Sequence, residues 1–351
     1  MSLRRLALPA LALAASLSAC STLGYYAHLG QGQWQLLQAR EPIRDILADS
    51  RRDPELRRRL QLTLDARAWA SQRLALPDNG SYTRYADLQR PFVVWNVFAA
   101  PELSLEPVEH CFPIAGCVAY RGYYREDLAR EEASRLEARG YETYVAGVPA
   151  YSTLGWFDDP LLNTMLRWND DHLIDTLFHE LAHQQLYLPG DTAFNESYAT
   201  FVGEEGLRQW RAARGLPPEA PLFALRENAF VALLQDSRER LQQAYEQAGD
   251  KTAKRQAKAA GFERLQQDYA ALRASWGGWA GYDRFFATPL NNAKLLPFAL
   301  YHQHVAAFTA LFEREGRDWS RFHAAAQQLA KLGTDERESQ LAQLAADAPT
   351  P

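Results

Sequence analysis

Apolar residues recur every fourth position at Leu56, Leu60, Leu64 and Ala68, which marks one buried face of a helix. Asp53 can cap that helix, Pro54 suits its first turn and Glu55 favours the positive end of the dipole. Leu74 extends the pattern, and Pro77-Asp78-Asn79-Gly80 ends it. From Pro91 the pattern changes. Phe92 to Phe98 is β-branched and aromatic and predicts a strand, with shorter strands predicted at Val118–Tyr120, Tyr141–Val148 and Ala150–Phe157. Glu126 to Arg139 reads as a helix stopped by Gly140. Residues 90–157 thus predict a small mixed sheet with one helix. The remainder is mainly helical. One helix runs from a cap at Asn169 or Asp170 to about Tyr187, and another from about Ala193 to Ala213. Pro189-Gly190 separates them, and Gly215 with Pro217-Pro218 ends the second. Residues 222–247 and 251–275 read as an antiparallel helical hairpin turning at Gly249-Asp250. A Gly- and aromatic-rich loop over 276–290 precedes helices at Asn291–Glu315 and Trp319–Leu332, and the last dozen residues read as frayed.

The fold class is therefore α+β: a small mixed sheet followed by a mainly helical part. The expected divisions are a leader over 1–19, a helical N-terminal region over 20–89 and a catalytic core over 90–215. A helical C-terminal region over 216–340 and a tail over 341–351 complete them. With 351 residues and 47% hydrophobic positions the chain can bury a sizeable core. Its net charge of −5 carries no basic tail or patch, which argues against nucleic acid as a partner.

The first twenty residues alter the compartment. Arg4 and Arg5 lead an apolar run from Leu6 to Leu17 that is too short to span a bilayer, followed by Leu17-Ser18-Ala19-Cys20. This reads as a secretory signal, and the segment around Cys20 resembles the bacterial lipobox. The resemblance implies cleavage before Cys20 and attachment of lipid there, giving a membrane-anchored periplasmic protein. Ser21 stands where the usual inner-membrane retention signal has Asp, which leans towards the inner face of the outer membrane. Two other cysteines remain, Cys111 and Cys117, flanking a short loop with Pro113 and Gly116 to turn it. In an oxidising compartment they predict a local disulfide.

His179-Glu180-Leu181-Ala182-His183 fits H-E-x-x-H. Histidines at i and i+4 lie on one helix face and can share a Zn²⁺, while Glu180 can take a proton from water activated by that ion. Leu173, Ile174, Leu177, Phe178 and Leu181 make this a largely buried helix, where an unligated polar pair would be costly. Zinc peptidase sites take a third protein ligand and leave a position open. Glu196, in Phe194-Asn195-Glu196-Ser197-Tyr198-Ala199 beyond the Pro189-Gly190 break, is the candidate. His172 and Asp175 are poorer ones, because they share the motif's own helix.

H-E-x-x-H followed by N-E-x-x-A resembles the gluzincin branch of zincins, whose aminopeptidases read N-E-G-F-A at the third ligand. The larger resemblance is to a bacterial putative aminopeptidase family of lipid-anchored proteins. It is carried by Tyr120-Arg121-Gly122-Tyr123, Ala150 to Phe157, the H-E-x-x-H motif, Asn195-Glu196-Ser197 and Asn291-Asn292-Ala293. It implies a zincin-like fold, a zinc site of His179, His183 and Glu196, and aminopeptidase activity. One departure stands out. Several gluzincins have Asp four residues after the third ligand, where this chain has Thr200, so Asp175, Glu204 or Glu205 would have to orient the histidines.

Further roles follow as expectations. Peptide would add as a strand along Tyr151, Ser152 and Thr153, the last predicted strand before the motif. Trp156 and Phe157 are expected in the core. A donor to the tetrahedral intermediate is expected from Tyr301, or else His302. Asp158, Asp159, Glu204 and Glu205 are open candidates for a substrate's free ammonium group. Two other readings stay open: a lipid-anchored zinc endopeptidase acting on envelope proteins, and a non-catalytic lipoprotein assisting envelope assembly. The intact Glu180 argues against the latter.

Overall fold

The computed structural model describes residues 23–112, 116–150, 152–217 and 222–347. Cys20 and Tyr151 lie outside them. The chain begins with helix α1 (residues 23–38), then strand β1 (Arg40–Pro42), α2 (Ile43–Ala48) and α3 (Pro54–Arg73). α3 starts as its sequence dictates: the Asp53 carboxylate accepts from Leu56 N at 2.7 Å, with Pro54 in the first turn. Next come β2 (Arg84–Ala86), β3 (Val94–Pro101), β4 (His110–Phe112), β5 (Gly116–Val118) and β6 (Tyr120–Tyr123). α4 (Glu126–Glu137), β7 (Tyr141–Val148) and β8 (Leu161–Leu162) follow. The motif helix α5 (Asp170–Gln185) leads to α6 (Thr192–Ala213), α7 (Leu222–Gln247), α8 (Lys251–Ser275) and the short α9 (Asp283–Phe286). The chain closes with α10 (Asn292–His302), α11 (Val305–Arg314), α12 (Trp319–Ala330) and α13 (Thr334–Ala346). It is a mixed α+β protein.

The principal sheet has strand order β6-β3-β7, all antiparallel, with Val94 opposite Val148 and Trp95 opposite Tyr123. Alternation gives it two characters. Trp95, Val97, Ala99 and Tyr123 pack on Ala129, Ala133 and Leu136 of α4. The other face presents Val94, Asn96, Phe98, Tyr120, Gly122, Ala146 and Val148 to a cavity. A second sheet, β1-β2-β8, joins the N-terminal region to the segment leading into α5. β4 and β5 form a hairpin closed by the Cys111–Cys117 disulfide. Gly116 there has φ +74, and a Cβ on it would lie 2.6 Å from Gly190 N, so the hairpin is seated on the turn between α5 and α6.

Four expectations differ from this structure. Residues 152–157 form a turn rather than a strand: Leu154 and Gly155 have φ of 57 and 80, and Asp159 captures the Thr153 amide at 2.8 Å. Trp156 and Phe157 consequently point outward, 68% and 47% exposed, instead of joining the core. The predicted helix over 291–315 is two helices, broken where His304 N donates to Ser197 Oγ at 3.0 Å. The tail does not fray at 341, because α13 runs to Ala346 and buries Leu341 and Leu344 in the main core.

Candidate metal centre and its cavity

α5 and α6 form an antiparallel hairpin whose two-sidedness defines the site. On α5, Leu173, Ile174, Leu177, Phe178, Leu181 and Ala182 are fully buried in the core. The opposite stripe, His172, Asp175, Thr176, His179, Glu180 and His183, recurs with helical period and lines a cavity of about 1150 Å³. α6 repeats the arrangement, with Phe194, Tyr198, Phe201 and Val202 in the core and Glu196, Thr200, Glu204 and Arg208 facing the cavity. Polar stripes turned inward on both helices oppose the usual amphipathic arrangement, and they require a polar occupant.

Local chemistry holds both helices in register. Asn169 caps α5 by accepting from His172 N at 2.9 Å, and Asp191 caps α6 by accepting from Phe194 N at 3.0 Å. Asp191 is itself held by Arg337 of α13 at 2.7 Å. The segment Asn195-Glu196-Ser197-Tyr198 divides its work residue by residue. The Asn195 side chain accepts from Leu188 N at 2.7 Å and donates to Leu188 O at 2.8 Å, clamping the connecting turn to α6. Ser197 receives the His304 amide. Tyr198 OH lies 2.7 Å from His323 Nδ1, while His323 Nε2 lies 2.8 Å from Leu74 O. Since the carbonyl can only accept, Nε2 donates to it and Nδ1 accepts from the tyrosine. Glu196 alone of the four is aimed at the motif histidines. Gly203 lets the helices approach: a Cβ on it would lie 2.7 Å from Asp175 Oδ1 and 3.0 Å from Asp175 O.

His183 Nε2 and His179 Nε2 are 3.1 Å apart, and a single Glu196 oxygen lies 3.4 Å and 3.6 Å from them. Ligands of a tetrahedral ion bonded at about 2.0–2.1 Å are separated by roughly 3.3–3.4 Å, so this triangle has the dimensions of one face of a tetrahedral coordination shell. Two imidazoles and a carboxylate suit a first-row divalent ion, and the three groups could hold one. His183 Nδ1 is buried without a hydrogen-bond partner among the described residues, so its orientation is set by packing and by the metal-side nitrogen.

Electrostatics separates these groups. Burial would raise Glu196, but the adjoining His183 and His179 outweigh it and hold the carboxyl down to about 2. Burial lowers His179. For His183 burial pulls the same way, yet the Glu196 charge prevails and raises it. Glu180 is 7% exposed, and burial pushes it up to about 8 against the pull of His183. A cation placed between the histidines would bring it down towards ionisation.

The other anticipated residues fall into separate places. Ser152 lines the cavity, whereas Thr153 is engaged with Asp159 through its amide and, at 2.7 Å, its hydroxyl. Asp159 thereby serves the turn and is not free to hold a ligand; burial raises it to about 6. Asp158 is exposed. Glu205 is tied to Arg208 at 2.6 Å. Asp175 and Glu204 line the cavity and make no hydrogen bond to either motif histidine. Tyr301 and His302 end α10, and their side chains lie outside the described residues. Asn291 and Asn292 are structural: Asn292 Nδ2 donates to Glu102 O at 3.0 Å and Ser104 O at 2.9 Å, fastening α10 to the principal sheet.

Two tyrosines escaped the sequence reading. Tyr120 faces the cavity, and burial with the charges of Glu196 and Glu180 raises its hydroxyl far above the ordinary range. Tyr187, just after α5, also lines the cavity and is raised by burial and Glu196. The strand predicted at Val118–Tyr120 gave no sign of which face meets the cavity.

A family model described as putative aminopeptidase matches residues 24–341. No curated protein and no solved structure matches the chain.

Proposed function

The chain belongs to the putative aminopeptidase family, and from that premise we propose that it is a zinc-dependent aminopeptidase with a gluzincin-type site on a zincin-like fold. The observation that carries this is the triangle of His179, His183 and Glu196 with buried Glu180 beside it. Those three residues would hold Zn²⁺, which when bound lowers the pKa of water and polarises a carbonyl. Glu180 accepts the proton of the attacking water and returns it to the departing amine. Its burial favours proton retention, and a cation held by the histidines would favour release, which would poise the group near neutrality. Tyr120 takes the role anticipated for Tyr301: it comes from outside the motif helix, and burial together with its negative surroundings keeps the hydroxyl protonated as a donor to the developing oxyanion.

Peptide binds as a further strand by the cavity end of β7, where Ala146, Gly147 and Val148 line the space and no described strand pairs with the outer edge. That replaces the edge expected at Tyr151 to Thr153. The signal over residues 1–19 and Cys20 support export and lipid anchoring in the periplasm, with the outer membrane's inner face as the site. Among the described residues, no helix is long and apolar enough to cross a membrane.

Glu180→Gln tests the mechanism. Peptide hydrolysis is expected to fall by about 10²–10⁴-fold with metal content unchanged. Hydrolysis at the wild-type rate in that variant would contradict it.

A further inference from the structure

The cavity does not end at the metal residues. Asp175 lies one turn before His179, about 6 Å along α5, and Glu204 lies two turns beyond Glu196 on α6. Because the helices are antiparallel, both carboxylates come to one level, where Gly203 abuts Asp175. Glu227 of α7 lines the same space. The three feel one another: burial and the charges of Glu204 and Glu227 raise Asp175, and burial with Glu227 raises Glu204 to about 7.

None of these carboxylates has a cationic partner among the described residues. The nearby arginines are committed elsewhere, Arg208 to Glu205 and Arg211 to Asp171. Asp175 is the sharpest case, half-buried on the cavity wall and accepting no hydrogen bond from the described residues. Leaving such a group without a partner is costly. The missing charge is not suited to a second metal ion, since among the described residues only His179, His183 and Glu196 converge closely enough to hold one. A flat apolar wall borders the carboxylates: the His172 ring stacks between Trp168 at 4.3 Å and Phe223 at 5.0 Å. Burial holds His172 neutral, down to about 4, so the wall does not repel a cation.

We propose that Asp175, Glu204 and Glu227 form a subsite that holds a positively charged ammonium group of the substrate. The inference rests on the peptidase reading and names the substrate class: peptides with a free ammonium on the residue before the scissile bond. The charge can come from the chain's amino terminus or from a lysine side chain, and the same three carboxylates would serve either.

Binding to the metal-loaded protein tests this without turnover, using leucinamide, N-acetyl-lysinamide and N-acetylleucinamide in titration calorimetry. At least one ammonium carrier is expected to bind roughly tenfold or more tightly than N-acetylleucinamide. Preference for leucinamide identifies the amino terminus, and preference for N-acetyl-lysinamide identifies the side chain. The double variant Asp175→Asn with Glu204→Gln is expected to abolish the preference while N-acetylleucinamide binds as before. Glu227→Gln alone should weaken the preference, and it serves if the double variant fails to fold. Equal binding of all three probes by the native protein, or a preference that survives in the variants, overturns the proposal. Because no hydrolysis is read, that failure is distinct from a failure of the Glu180 mechanism.

Discussion

The two ends of the cavity differ in how their charges are balanced. At one end Glu196 meets two imidazoles within 3.6 Å and its carboxyl falls to about 2. At the other, a turn or two along the same helices and on α7, burial raises Asp175, Glu204 and Glu227 with no cation among the described residues to offset it. Burial is common to both ends. The contrast shows that company, and not depth, decides whether a buried carboxylate stays ionised. The first end could hold a metal ion, and the second is a set of carboxyls whose ionisation a cationic ligand would favour.

Pushing the helices apart should break both ends together. In Gly203→Ala the new methyl would lie 2.7 Å from Asp175 Oδ1, which can swing aside, and 3.0 Å from the Asp175 backbone oxygen, which moves only with α5, so the helices must ease apart by a few tenths of an ångström. We expect a stability loss of about 1–3 kcal/mol and a fall in hydrolysis of roughly tenfold to a hundredfold. Thermal melting and steady-state rates check this. Wild-type rates would mean that the helix spacing is not critical.

A smaller effect sharpens the contrast by pH. Glu204 has a folded pKa of about 7 against an ordinary 4.5, so the folded chain binds more protons than the unfolded one between those values. Its contribution to stability therefore declines as pH rises from 4.5 to 7. Gln does not titrate. Glu204→Gln should thus melt a few degrees higher than wild type at pH 8, with the advantage shrinking towards zero below pH 4.5. An advantage independent of pH would show that Glu204 is not destabilised by its charge.

Much of the metal end was legible in the sequence. Polar residues spaced with helical period inside an otherwise apolar helix singled out His179, Glu180 and His183, and the Pro189-Gly190 break foretold a returning helix carrying Glu196. The carboxylate end was harder to read. Asp175, Glu204 and Glu227 come from three helices, and nothing local to any of them reports the others. Glu204 had been one of several open candidates for an ammonium, and the structure sets it apart from Asp159, which holds the Thr153 turn, and Glu205, which pairs with Arg208. The segment at 150–157 misled because its apolar residues resemble a strand, while a side chain outside that window, Asp159, decides its backbone. Strands as short as β1, β2 and β8 carry no alternation to detect.

The central claim is that His179, His183 and Glu196 hold a catalytic zinc ion. Metal analysis by mass spectrometry of the purified protein and of His183→Ala, both exposed to equal zinc and then desalted, tests it most directly. The account predicts about one zinc per native chain and almost none in the variant. A native chain without metal, or a variant that keeps it in full, would contradict the account.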